Sequence, residues 1–134
     1  MKIALIAHDN KKADMVAFVS KRLNFFNAEG VSIVATGTTG NHVAHAGIEK
    51  VERVASGPMG GDAEIAAMVT RSEIDLVIFF RDPLGKHAHD VDISMLMRVC
   101  DVHNCPLATN YSTASHLVKW YKHRSKIENG SVSE

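Results

Sequence analysis

The run Leu76-Val77-Ile78-Phe79-Phe80, entered through Asp75, constrains the chain more than any other stretch. No polar residue alternates within it, so a strand built from it is apolar on both faces and must be covered on both. That places it inside a parallel sheet rather than in a half-solvated antiparallel one. Four further short runs have strand character, over residues 2–7, 31–36, 51–55 and 106–109. Between them, apolar residues recur every three or four positions. Met15, Val19, Leu23 and Phe26 predict a helix over residues 13–28, stopped by Gly30. Short helices are expected up to His45 and over residues 63–72. Another, capped by Asp90, carries the stripe Ile93, Leu96, Met97 and Cys100, and a last one contains Leu117, Val118 and Trp120. Strands that alternate with helices predict an α/β protein: a three-layer, doubly wound sandwich with a five-stranded parallel sheet.

The length of 134 residues suits one domain with a real core. We expect it over residues 1–120, followed by a polar, basic and frayed tail over 121–134, where no apolar period continues. Hydrophobic residues at 46% and charged residues at 22% fit a globular chain, and 15 Lys+Arg balance 15 Asp+Glu. No global field therefore argues for a nucleic acid or a membrane as partner. Lys119, Lys122, Arg124 and Lys126 are too few, and too poor in interleaved aromatics, to change that. The first apolar run, residues 3–7, is far too short for a signal peptide or a membrane span, so the expected compartment is the cytoplasm. Cys100 and Cys105 follow no zinc or redox spacing and are expected to be reduced and packed.

In a doubly wound sheet, ligands collect beyond the carboxyl ends of the strands. Every polar or glycine-rich cluster of this chain falls in such a turn. Gly37-Thr38-Thr39-Gly40 can surround a phosphate with N–H and O–H donors, or simply cap a helix. Ser56-Gly57-Pro58-Met59-Gly60-Gly61-Asp62 lets backbone amides approach a ligand, just before a helix N-terminus that favours an anion. Asp62 either caps a helix beginning at Ala63 or has chemical work, since a carboxylate beside an anion site is electrostatically awkward. His8, Asp9 and Lys12 open the first helix, where Lys12 is a point charge for a phosphate or a solvated surface lysine. Arg81-Asp82-Pro83 and His87-Ala88-His89-Asp90-Val91-Asp92 follow the central strand. Metal ligation is conceivable for them, but proton transfer between His and Asp fits better. His42 and His45 lie three apart on what reads as an exposed helix face.

Ala7-His8-Asp9, Ala35-Thr36-Gly37-Thr38-Thr39-Gly40, Ser56 to Asp62, Phe79-Phe80-Arg81-Asp82-Pro83-Leu84 and His89-Asp90-Val91-Asp92 occur in this order. Together they resemble the methylglyoxal synthase family, from about residue 3 to 115. The resemblance implies a flavodoxin-like architecture and a lyase that converts dihydroxyacetone phosphate to methylglyoxal and inorganic phosphate, with no metal or organic cofactor. It implies a homo-oligomer, typically a hexamer, inhibited by phosphate. It also assigns residues. Asp62 falls on the catalytic base, and His8 and His89 on substrate-contacting histidines, with His89 also moving protons. Lys12, Thr36, Gly37, Thr38, Thr39, Ser56 and Gly57 fall on the substrate and phosphate cradle, and Asp82 and Asp92 on supporting carboxylates. Lys86-His87-Ala88 and Val91 depart from a more usual proline-containing run, and the segment after Trp120 does not match the longer tail of some members, so Arg124 takes no role from it.

Two other readings compete. The regulatory domain of carbamoyl phosphate synthetases shares this fold and binds small phosphorylated effectors, which accounts for the cradles but not for Asp62, His89 and Asp92. A metal-dependent phosphatase would use the His and Asp clusters instead. Within the lyase reading, elimination requires the C–O bond to phosphate to stand near perpendicular to the enediolate plane; otherwise reprotonation, as in triose-phosphate isomerase, takes over.

Overall fold

The computed structural model describes residues 1–87 and 90–128. Five strands, β1 (Lys2–Ala7), β2 (Ser32–Thr36), β3 (Val51–Val54), β4 (Leu76–Phe80) and β5 (Leu107–Ala108), form one sheet in the order β3-β2-β1-β4-β5. All pairings are parallel, with Ile3 beside both Ile33 and Leu76. The architecture is the expected three-layer one, although the strand order differs from flavodoxin's 2-1-3-4-5. From β1 the chain winds outward to β3, then returns to lay β4 on the other side of β1. The crevice beyond β1 and β4 is therefore the topological switch point.

The helices are α1 (Lys12–Ser20), α2 (Leu23–Phe26), α3 (Gly37–Ala46), α4 (Gly61–Thr70), α5 (Asp90–Val102) and α6 (Tyr111–Glu128). Side chains alternate across a strand, so each central strand feeds two cores. Ile3, Leu5, Leu76, Ile78 and Phe80 pack with residues of α1, α2, α3 and α6, whereas Ala4, Ile6, Val77 and Phe79 pack with α4 and α5. β4 is buried at every position, as its composition requires, and is flanked by β1 and β5.

Three boundaries differ from the sequence reading. The helix expected over residues 13–28 is two helices, because Arg22 leaves the helical conformation (φ −133°, ψ 28°). Its guanidinium instead donates to the Phe18 carbonyl at 3.0 Å, Tyr111 Oη at 3.3 Å and Ser115 Oγ at 3.1 Å, pinning α6 to α1. The helix expected from Ala63 starts two residues earlier, at Gly61. Finally, α6 runs through the segment expected to fray, as far as Glu128. Tyr121 lies one turn beyond Leu117 and packs with it against the core, which extends the apolar stripe. Among the described residues, no helix is long and apolar enough to cross a membrane.

Candidate active site

A cavity of about 360 Å³ opens beyond the carboxyl ends of β1, β2 and β4, at the switch point. Its most constrained wall is the start of α4. The chain leaves β3 through a 3-10 turn at Gly57–Met59, and Gly60 then takes φ +98°, a left-handed value that favours glycine. The Ser56 carbonyl accepts from the amides of Met59 at 3.0 Å and Gly61 at 2.9 Å. A Cβ on Gly61 would collide with the Ala55 carbonyl, so this position has no room for a side chain. The result is Asp62 in the first turn of α4, fully buried and lining the cavity. It is not the helix cap: that position belongs to Gly60. Burying a carboxylate is costly, and the field of the helix N-terminus offsets part of the cost.

The second wall is the start of α3. Thr36 and Thr38 line the cavity, and α3's first-turn amides have no acceptor within the helix. Gly37 and Thr39 serve the frame instead. The Gly37 amide donates to the Ala55 carbonyl at 3.3 Å, so the two glycine-rich turns brace one another. Thr39 is buried; its hydroxyl accepts from the Ala7 amide at 3.2 Å and donates to the Ala7 carbonyl at 3.4 Å. It also accepts from the Thr36 hydroxyl at 3.3 Å.

Lys12 supplies a cation at the end of β1. Two of its three protons are committed, one to the Ala7 carbonyl at 2.9 Å and one to Asp9 Oδ1 at 2.8 Å. That hydrogen bond, with the lysine charge behind it, holds the Asp9 carboxyl below its ordinary range. Asp82 is tied in a similar way. Asn10 Nδ2 donates to its Oδ2 at 2.9 Å and the Leu84 amide to its Oδ1 at 3.1 Å, which lowers its proton affinity as well. An anion entering the cavity therefore meets Asp9 and Asp82 already engaged by donors.

His8 continues β1 by donating its amide to the Phe80 carbonyl at 3.1 Å. Its ring is buried, with Nδ1 accepting from the Asp82 amide at 2.8 Å. A peptide N–H only donates, so Nδ1 carries the lone pair and the neutral ring carries its proton on Nε2. The ring meets Phe79 edge-on at 5.1 Å and stacks on His87 at 3.8 Å between centroids.

A family model described as "MGS-like domain" matches residues 14–109. The chain is 55% identical over 119 residues to a methylglyoxal synthase of Geobacillus sp. (strain WCH70), covering 89% of this chain and 84% of the relative. It is 54% identical over 114 residues to one of Carboxydothermus hydrogenoformans, covering 85% and 93%. The chain belongs to the methylglyoxal synthase family. The crystal structure of methylglyoxal synthase from Elizabethkingia anophelis superposes with a TM-score of 0.80 at 40% identity, over 87% of this chain and 76% of that one.

Of the positions assigned by resemblance to methylglyoxal synthases, the fold gathers His8, Lys12, Thr36, Thr38, Gly57, Asp62 and Asp82 around one cavity. Gly37, Thr39 and Ser56 sit behind its wall as bracing. Asp92 stands in the first turn of α5 and does not line it, while His89 lies outside the described residues. Asn10, Lys86 and His87 line the cavity too. The sequence marks His87 only as part of the His and Asp cluster after the central strand and gives Asn10 and Lys86 no role; their signal is their place beside the motif residues. Among the described residues, no group of three or more His, Cys, Asp or Glu side chains is placed to hold a metal ion.

Proposed function

We propose that this chain is a methylglyoxal synthase acting on dihydroxyacetone phosphate, with Asp62 as its base. The observation that carries the reading is a fully buried carboxylate on the wall of a cavity that also presents donors from His8, Lys12 and Thr38. Asp62 takes a proton from the carbon that bears the free hydroxyl, giving an enediol(ate). The electron pair then expels inorganic phosphate from the far carbon, and the released enol tautomerises to methylglyoxal. Neutral His8 offers Nε2–H, and Lys12 its third proton, to the oxygens on which charge develops. His89 and Asp92 keep the assisting roles that the resemblance gives them. Phosphate, as the departing group, fits the same donors and inhibits by occupying them. A homo-oligomer of six chains, each a single domain, and a cytoplasmic location complete the proposal.

The test supplies dihydroxyacetone phosphate and follows both products. Equimolar methylglyoxal and phosphate is the expected result. Glyceraldehyde 3-phosphate would indicate reprotonation instead, and binding without turnover would indicate an effector module.

A further inference from the structure

His87 has no part in the mechanism above, yet it covers a face of His8, with ring centroids 3.8 Å apart and planes within 20° of parallel. The same two rings line a second cavity of about 280 Å³ on the other side of the loop after β4, together with Asp82, Gly85 and residues at the start of α5. The stacked pair is thus a shared wall of two water-accessible spaces. The loop is folded tightly to put His87 there: a Cβ on Gly85 would stand 2.6 Å from Asp82 Oδ2 and 3.2 Å from His87 Nε2. Asp82, whose amide donates to His8 Nδ1 at 2.8 Å, belongs to the same loop. Edge and face of the His8 ring are therefore held by one segment, the edge by a hydrogen bond and the face by a ring.

We propose that His87 is a positioning residue for the reaction, acting through His8: its stacked ring buttresses one face of the His8 ring, keeps Nδ1 on the Asp82 amide and so holds His8 as the Nε2–H donor. This rests on the proposed activity, but half of it can be read without turnover. A flat ring of similar size suffices for the role, whereas a direct contact with substrate would need the imidazole nitrogens. The variants His87→Ala and His87→Phe separate the two.

The experiment records nitrogen-15 NMR of the histidine rings in the full chain and measures kcat and KM with dihydroxyacetone phosphate. In the unaltered chain, His8 is expected to show an unprotonated Nδ1 and a protonated Nε2. His87→Ala should mix that pattern and lower kcat/KM about tenfold, the scale of a stacked ring pair, while His87→Phe should restore both. An unchanged kcat/KM in His87→Ala overturns the proposal. So does a His87→Phe variant as impaired as His87→Ala, which would make the imidazole itself a contact. If the chain turns over no dihydroxyacetone phosphate, the activity reading fails by itself, and the NMR pattern still decides whether His87 holds His8.

Discussion

Gly61 lies directly on the carbonyl of Ala55, and this contact sets where Asp62 stands. The glycine before it, Gly60, is required for a different reason: it has open space around it but a φ of +98°. The two positions therefore separate crowding from backbone strain. Gly61→Ala must push the start of α4 off the turn that follows β3, costing about 1–3 kcal/mol and displacing the buried carboxylate. A shift of about 1 Å at a reacting group is worth roughly a hundredfold in rate. Gly60→Ala should cost about 1–2 kcal/mol with much smaller loss of turnover. Thermal melts and kcat on both variants check the difference.

Lys12 and Asp9 give a second expectation. The third proton of Lys12 is the one left for a bound phosphate, and a charge-assisted hydrogen bond is worth about 1.5–3 kcal/mol. Lys12→Ala should therefore weaken inorganic phosphate binding by roughly ten- to a hundredfold. It should also let the Asp9 carboxyl rise toward its ordinary 3.8, because the lysine is the largest cause of its lowering. Calorimetry and carbon-13 NMR of the carboxyl report the two effects separately.

Asp82 makes a pH prediction with a definite sign. The Asn10 amide, then the Leu84 amide, lowers its carboxyl below the ordinary 3.8. A group whose folded value is depressed contributes stability above its unfolded value and loses it as pH falls through the folded one. The fastening of the loop after β4 should thus hold at neutral pH and release only below about pH 4. Asn10→Ala should raise the Asp82 titration toward 3.8 and move that release upward. An NMR titration of Leu84's amide, which is bonded to Asp82 Oδ1, follows it directly.

Arg22 belongs to the scaffold and should behave accordingly. Its guanidinium lies 4.1 Å from the centre of the Phe18 ring and bonds to Phe18, Tyr111 and Ser115. Removing it with Arg22→Ala should cost about 2 kcal/mol and lower the melting temperature by several degrees. KM should not change, since Arg22 does not line the cavity.

These residues also show what the sequence conveys and what it does not. The all-apolar run of β4 announces a covered sheet because burial on two faces leaves no other composition. The turns announce a ligand end because strands in a parallel sheet all finish on one side. Local pattern fails where tertiary contact decides. Arg22 reads as one more helical residue until Tyr111 and Ser115, some ninety positions on, claim its guanidinium. Asp62 reads as a cap because Gly60 and Gly61 have little helix propensity, yet α4 begins at Gly61, where a side chain would strike the Ala55 carbonyl. Thr39 reads as a phosphate ligand, but β1 takes its hydroxyl. The His8–His87 stack joins residues that no spacing rule connects.

Asp62→Asn tests the base most directly. The amide keeps the shape of the carboxylate and cannot take the substrate proton, so kcat should fall by about a hundred- to ten-thousandfold, the span of general-base catalysis. The position is fully buried, and α4 begins at Gly61 whichever group follows. The fold should therefore survive, as circular dichroism would register. Removing a negative charge from the wall that faces the anion should leave phosphate binding equal or tighter. A variant that binds phosphate but makes neither product identifies Asp62 as the base. Near-normal turnover would assign the proton transfer to another group, and loss of phosphate binding would make Asp62 a structural part of the cradle.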